Sequence, residues 1–243
     1  MSVRDRIDRF VNPKSGPSGS FSSDLLLIGR KLLEDSLLDR KNNLNTPPNN
    51  HMSKHSVGSI VLLVAGFECW LNEAIDYLSS YDPKMRAYVE LPVLRKYESL
   101  CNWNGTDRFP LTNVRVIDRQ QGLNFEDILT KLPLVVEVRN EIVHAVPVPT
   151  GTPWNLPPKL LPLHEMGVLM TTGKAEADYT LHDKFRSYAL AYWCWEQIDT
   201  AVSLLVNHVE PDQVLAWTAQ NFSASYRAVC PPKELASHNI PDV

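Results

Sequence analysis

The stretch Ile60-Val61-Leu62-Leu63-Val64-Ala65-Gly66-Phe67-Glu68-Cys69-Trp70-Leu71 is apolar almost all round, with one carboxylate near its end. A run of this kind, extended to about Ser79, reads as the most buried helix of an α-helical domain. Its start falls between His51 and Ser59.

Working outward, Leu25, Ile28, Leu32 and Leu33 recur at helical spacing after Ser22-Ser23-Asp24. This predicts a capped amphipathic helix over 25–39 that buries those four residues. Before it, residues 1–22 carry Pro, Gly and Ser and read as a flexible arm. On the other side, Asp82-Pro83 reads as a cap with proline at the first helical position. It opens a helix to about Cys101 that Pro92 kinks or splits. Residues 102–124 read as a loop with a short strand at Val114–Ile117.

Further along, Asn124 caps a short helix over 125–132, and after Pro133 a second helix runs from about Leu134 to Ala145. A Pro-rich insertion occupies about 146–180, with a small hairpin around Gly173. A last long helix runs from Leu181-His182-Asp183 to about Val209 and carries Phe185, Ala189, Trp193, Ile198, Val202, Leu205 and Val209. A short helix at Val214–Thr218 and a polar tail close the chain, so that residues 211–243 stand apart from a main domain over 23–210. Long helices without a strand series predict an all-α antiparallel bundle.

The 243 residues are 44% hydrophobic and 21% charged, an ordinary globular composition. A net charge of −4 gives no global attraction to nucleic acid, so RNA binding requires a local basic patch. Lys84, Arg86, Arg95, Lys96, Arg108, Arg115 and Arg119 concentrate positive charge in one region; a solvated face is the ordinary explanation of such a run. Met1-Ser2-Val3-Arg4-Asp5-Arg6 leads into no apolar run, and no uninterrupted apolar stretch reaches membrane-spanning length; the expectation is a cytoplasmic protein. Cys69, Cys101, Cys194 and Cys230 form no Cys-x-x-Cys pair and fit reduced, mostly buried thiols.

Chemistry concentrates in Glu137-Val138-Arg139-Asn140-Glu141-Ile142-Val143-His144-Ala145. On a helical wheel with Val135 at zero, Val138, Ile142 and Ala145 fall within about 80° on one side and make a core stripe. Arg139 borders it at about 40°, while Asn140 and His144 lie together at about 140° and 180° on the outer face. Val143 and Val136, at about 80° and 100°, separate the Arg from the Asn/His pair and need a cover. A second copy of the chain supplies one economically, because a two-fold interface buries the same patch twice.

The hexapeptide Arg139-Asn140-Glu141-Ile142-Val143-His144 resembles the Arg-Asn-x-x-x-His signature of HEPN domains (higher eukaryotes and prokaryotes nucleotide-binding). The order of helices over about 23–209 is similar to theirs, with the motif helix third of four. The resemblance implies a metal-independent endoribonuclease without cofactor, in which a ribose 2′-hydroxyl attacks the adjacent phosphate. The products are a 2′,3′-cyclic phosphate and a 5′-hydroxyl end. His144 then moves the proton, Arg139 holds the phosphate, and Asn140 orients His144 or the phosphate. Two motifs combine into one site, so the implied partners are RNA, a second copy through the motif helix, and an antitoxin or regulatory protein; the implied role is a toxin or phage defence. The second reading is a non-catalytic HEPN-like module that binds a nucleotide or a protein. Members controlled by nucleotidylation carry a Tyr two residues after the motif His, where this chain has Val146.

HEPN domains carry an acidic residue near the position of Glu68, close to the motif Arg. A buried carboxylate needs a partner, and the expectation is contact between Glu68 and Arg139. The competing reading makes Glu68, Asn72 and Asp76 a solvated stripe. His51 and His55 have metal-ligand spacing but no third ligand nearby, and no metal is expected. Trp193 and Trp195 lie on nearly opposite sides of their helix, so one is read as core and the other as capped by the insertion or a partner, with packing rather than stacking on RNA bases as the expectation.

Overall fold

The computed structural model describes residues 21–42, 53–103, 125–144, 157–166, 168–169 and 184–208. The arm up to residue 20, the strand at Val114–Ile117, the hairpin around Gly173, the helix at Val214–Thr218 and the tail lie outside them. The fold is all-α, and among the described residues there is no strand. In chain order the helices are α1 (Phe21–Asn42), α2 (Lys54–Leu78), α3 (Val93–Cys101), α4 (Phe125–Val143), α5 (Leu161–Glu165) and α6 (Tyr188–His208). Two 3-10 segments, Pro83–Glu90 and Pro158–Leu160, precede α3 and α5.

The chain forms two compact units, one comprising Met1–Leu27, Ala65–Leu129 and Asp199–Ser225, the other Ile28–Val64, Thr130–Ile198 and Tyr226–Val243. In the first, the buried faces of α2 and α3 meet through Phe67 and Tyr97, whose ring centroids are 5.8 Å apart. The Tyr97 hydroxyl donates to the Ala201 carbonyl at 3.0 Å, so the buried phenol is satisfied by helix backbone. Glu73 accepts from both the backbone N–H and the hydroxyl of Ser22, at 3.2 and 2.6 Å. A carboxylate distant in sequence thus caps the first turn of α1, where helix polarity favours negative charge. Ser22 and Ser23, read as the cap, lie within the helix, and Glu73 of α2 serves the N–H and hydroxyl of Ser22 there.

The Asp82 expectation holds: its side chain accepts from the Lys84 N–H at 3.1 Å and Pro83 opens the 3-10 turn. Pro92 then separates that segment from α3, as its missing N–H requires.

In the second unit, Leu33, Leu37, Ile60, Leu63, Val135 and Val138 are buried with Trp193, Trp195 and Ile198 of α6. Both tryptophans are therefore core residues, and Trp195 packs on Tyr192 with centroids 5.6 Å apart. Ser53 starts α2: its hydroxyl accepts from the His55 N–H and donates to Asp39, while its own N–H donates to the Arg186 carbonyl at 3.0 Å. Helix α6 begins later than Asp183, at Tyr188, with the Ser187 hydroxyl accepting from the Leu190 N–H. Lys184 and Phe185 belong to a separate turn.

The face of α1 differs from the expected one. Leu26, Leu33 and Leu37 are buried, whereas Ile28 is 51% exposed and Leu25 and Leu32 are only half-buried. Small residues make the choice. A Cβ on Gly29 would stand 3.0 Å from the backbone nitrogen of Leu63, and Ser36 and Ser56 share a buried hydrogen bond of 2.6 Å. In the first unit a Cβ on Gly66 would stand 2.9 Å from the backbone nitrogen of Leu26. In each unit α1 numbers rise as α2 numbers fall, so the two helices are antiparallel at close range.

Helix α4 also corrects an expectation, since it runs unbroken through Pro133. Proline inside a helix costs about 3 kcal/mol. Against that, Ile128 precedes Pro133 and Leu132, Val135 and Val138 surround and follow it, all fully buried. Each such side chain contributes roughly 1.5–3 kcal/mol, so packing on both sides of the proline holds the helix together. The ring itself faces solvent.

Helix α2 is long and apolar enough to cross a membrane by length and composition. Ile60, Leu63, Phe67, Trp70, Leu71 and Ile75 are all buried inside the fold.

Candidate active site

The motif occupies the last two turns of α4, and the His144 N–H donates to the Asn140 carbonyl at 2.9 Å, extending the helical pattern to the histidine. Val135 and Val138 are buried, as the wheel requires, and Ile142 is half-buried. Arg139 and Asn140 are half-buried and His144 is exposed. The imidazole is therefore reachable, one helical turn from an amide that could orient it. Val143 is 51% exposed and Val136 half-buried, so in the single chain the apolar strip between Arg139 and the Asn/His pair is open at its C-terminal end.

Arg139 and His144 lie about 140° apart around the helix axis. Their side chains therefore leave the helix in diverging directions. The structure shows what stands on the His144 side instead. Glu137 and Glu141, at about 200° and 240°, lie beside it on the side away from Asn140. The Lys159 ammonium reaches Glu137 Oε1 at 2.7 Å from the 3-10 turn before α5. This contact between motif helix and insertion is absent from the sequence reading. Twenty-two positions separate the partners, and no periodicity spans a Pro-rich segment.

Glu68 has a cationic neighbour in its own unit: the Lys96 Nζ lies 3.5 Å from its Oε1. Within that unit the ammonium compensates the half-buried carboxylate. Asp76 is exposed and Asn72 half-buried, with the Asn72 Oδ1 fully enclosed. Water therefore reaches the stripe at both ends, Glu68 and Asp76, while Asn72 between them is enclosed at its Oδ1. Lys96 corrects the basic-surface expectation, because its side chain is only 5% exposed and cannot serve as a solvated or RNA-guiding charge. Lys84, Arg86 and Arg95 are exposed, with Arg95 paired to Glu98; Arg108, Arg115 and Arg119 lie outside the described residues.

His55 Nδ1 lies 3.1 Å from Asp39 Oδ2, and His51 lies outside the described residues. Among the described residues no three His, Cys, Asp or Glu side chains converge as metal ligands. The thiols of Cys69, Cys101 and Cys194 are free. Burial pushes Cys69 and Cys194 up in pKa and raises Cys101 from 9.0 to about 12, which makes all three poor nucleophiles.

No family model, curated protein or solved structure matches the chain. Among the described residues, the helix that carries residues 139–144 comes third in the order α1, α2, α4, α6 of the long helices.

Proposed function

We propose that the chain is a HEPN-type endoribonuclease that works as a two-fold pair through α4. The observation that carries the reading is the exposed His144 one turn from Asn140, beside an apolar strip whose Val143 is uncovered in the single chain. Covering that strip with a second α4 brings two Asn140/His144 pairs together and gives each access to the other copy's Arg139. The open strip and the separation of Arg139 from His144 thus have one common resolution.

In the composite site the ribose 2′-oxygen bonds to phosphorus as the bond from phosphorus to the 5′-oxygen breaks. The imidazole of His144 accepts the 2′-hydroxyl proton, and the departing 5′-oxygen takes a proton from water. Arg139 holds the non-bridging phosphate oxygens with its planar donor fork as charge develops. General acid–base transfer of this kind contributes about a hundred- to ten-thousand-fold. A toxin or phage-defence role is the biological setting that the family resemblance suggests.

The test is incubation of the purified chain and its His144→Ala variant with total RNA in EDTA, with end-group analysis of the products. Cleavage by the wild type alone, leaving 2′,3′-cyclic phosphates, supports the reading. Equal cleavage by both proteins overturns it. No cleavage by a dimeric wild type points instead to a non-catalytic nucleotide- or protein-binding module.

A further inference from the structure

Resting on the ribonuclease reading, we infer that Lys159 is a substrate-binding residue, the cation that contacts an RNA phosphate on the His144 side of α4. Three observations carry this. First, Arg139 lies well around the helix from His144, so the outer face has no cation from the motif itself. Second, the turn Pro158–Leu160 brings the Lys159 ammonium onto that face, 2.7 Å from Glu137. Glu141 lies close enough to act on the same ammonium, which places it along the line of side chains that leads to His144. Third, the turn is anchored while its ammonium lies in water: Leu160 and Leu163 are buried, whereas the Lys159 side chain is 69% exposed.

The energetics allow the exchange that binding requires. An exposed ion pair contributes about 0–1 kcal/mol, so releasing Glu137 to reach a phosphate costs little. Without RNA, Glu137 keeps the ammonium beside the face and spares it from wandering. With RNA, the dianionic face of Glu137 and Glu141 repels the backbone unless a cation stands between them, and Lys159 is the residue placed to do so.

The experiment measures kcat/KM for a short single-stranded oligoribonucleotide across a range of KCl concentrations, with wild type, Lys159→Ala, Lys159→Arg and Glu137→Gln. Loss of one phosphate contact lowers the slope of log kcat/KM against log salt by about 0.7. Lys159→Ala is expected to show that reduction with a several-fold loss at low salt, and Lys159→Arg to keep the wild-type slope. Glu137→Gln separates substrate binding from a merely structural bridge. It breaks the same ion pair but leaves the cation, so kcat/KM rises if Lys159 serves the phosphate and falls with Lys159→Ala if the bridge only holds the insertion. An unchanged slope in Lys159→Ala, or a fall in Glu137→Gln, overturns the inference while His144-dependent cleavage still stands. Absence of cleavage by the wild type removes the ribonuclease reading itself, and the inference with it.

Discussion

Lys96 Nζ stands 3.5 Å from Glu68 Oε1, with the lysine side chain 5% exposed and the glutamate 37%. The two charges are unequally solvated, and their removal should therefore have unequal consequences. Glu68→Ala strands an ammonium in the interior and is expected to cost about 2–4 kcal/mol. Lys96→Met keeps the apolar stem and leaves a carboxylate that water reaches, for a loss below about 1.5 kcal/mol. Urea unfolding of the two variants measures the order, and a larger loss in Lys96→Met would contradict it.

Glycine positions along α1 and α2 should separate by what their Cβ would meet. At Gly29 and Gly66 the obstacle includes backbone, so alanine forces the helices apart and should destabilise by about 1–3 kcal/mol. That exceeds the roughly 1 kcal/mol alanine gains in helix propensity. At Gly58 the obstacle is the Leu32 methyl at 2.9 Å, the far end of a side chain that can turn away. Gly58→Ala is expected to be neutral or slightly stabilising in thermal melts.

Alkaline sensitivity follows from Cys101. Burial, aided by the Glu98 carboxylate and opposed by its hydrogen bond with Tyr97, raises the thiol from 9.0 to about 12 in the folded protein. Above pH 9 the unfolded chain gives up this proton and the folded chain keeps it. The contribution to stability is thus fully present below pH 9 and lost as pH rises toward 12. Cys101→Ala should flatten the decline of unfolding free energy over that window, read from denaturant titrations at successive pH values. An identical decline in both proteins would rule the thiol out as its source.

Val143 offers a test of the two-fold site that leaves the fold alone. Its side chain is half exposed at the end of α4, so Val143→Glu should change the stability of the single chain by less than about 0.5 kcal/mol. At a two-fold interface the same change places like charges opposite each other. Sedimentation equilibrium should then report a monomer, and RNA cleavage should fall with the loss of the dimer. A dimer that persists with full activity would place the interface elsewhere.

The core stripe of the motif helix was legible in the residues themselves. Val135 and Val138 recur at helical spacing with Ile142, which marks the stripe that turns inward. The Asp82-Pro83 start and the break at Pro92 were legible for the same reason, because caps and prolines act within a few residues. Pro133 obeyed no such local rule, since buried side chains before and after it outweighed the lost hydrogen bond. On α1 two apolar stripes competed, and hydrophobicity could not rank them.

Sequence by itself thus determined the helical class, the position of the motif helix and the outward direction of His144, all of which depend on contacts between residues three or four apart. Tertiary structure decided which face of α1 is buried, through the close approach that Gly29, Ser36 and Gly66 permit. It also brought charges together that lie far apart in sequence: Lys96 beside Glu68 and Lys159 beside Glu137. Charge pairs form between whichever side chains the packed helices bring within a few ångströms, and that proximity is a property of the assembled fold, with no spacing along the chain to announce it.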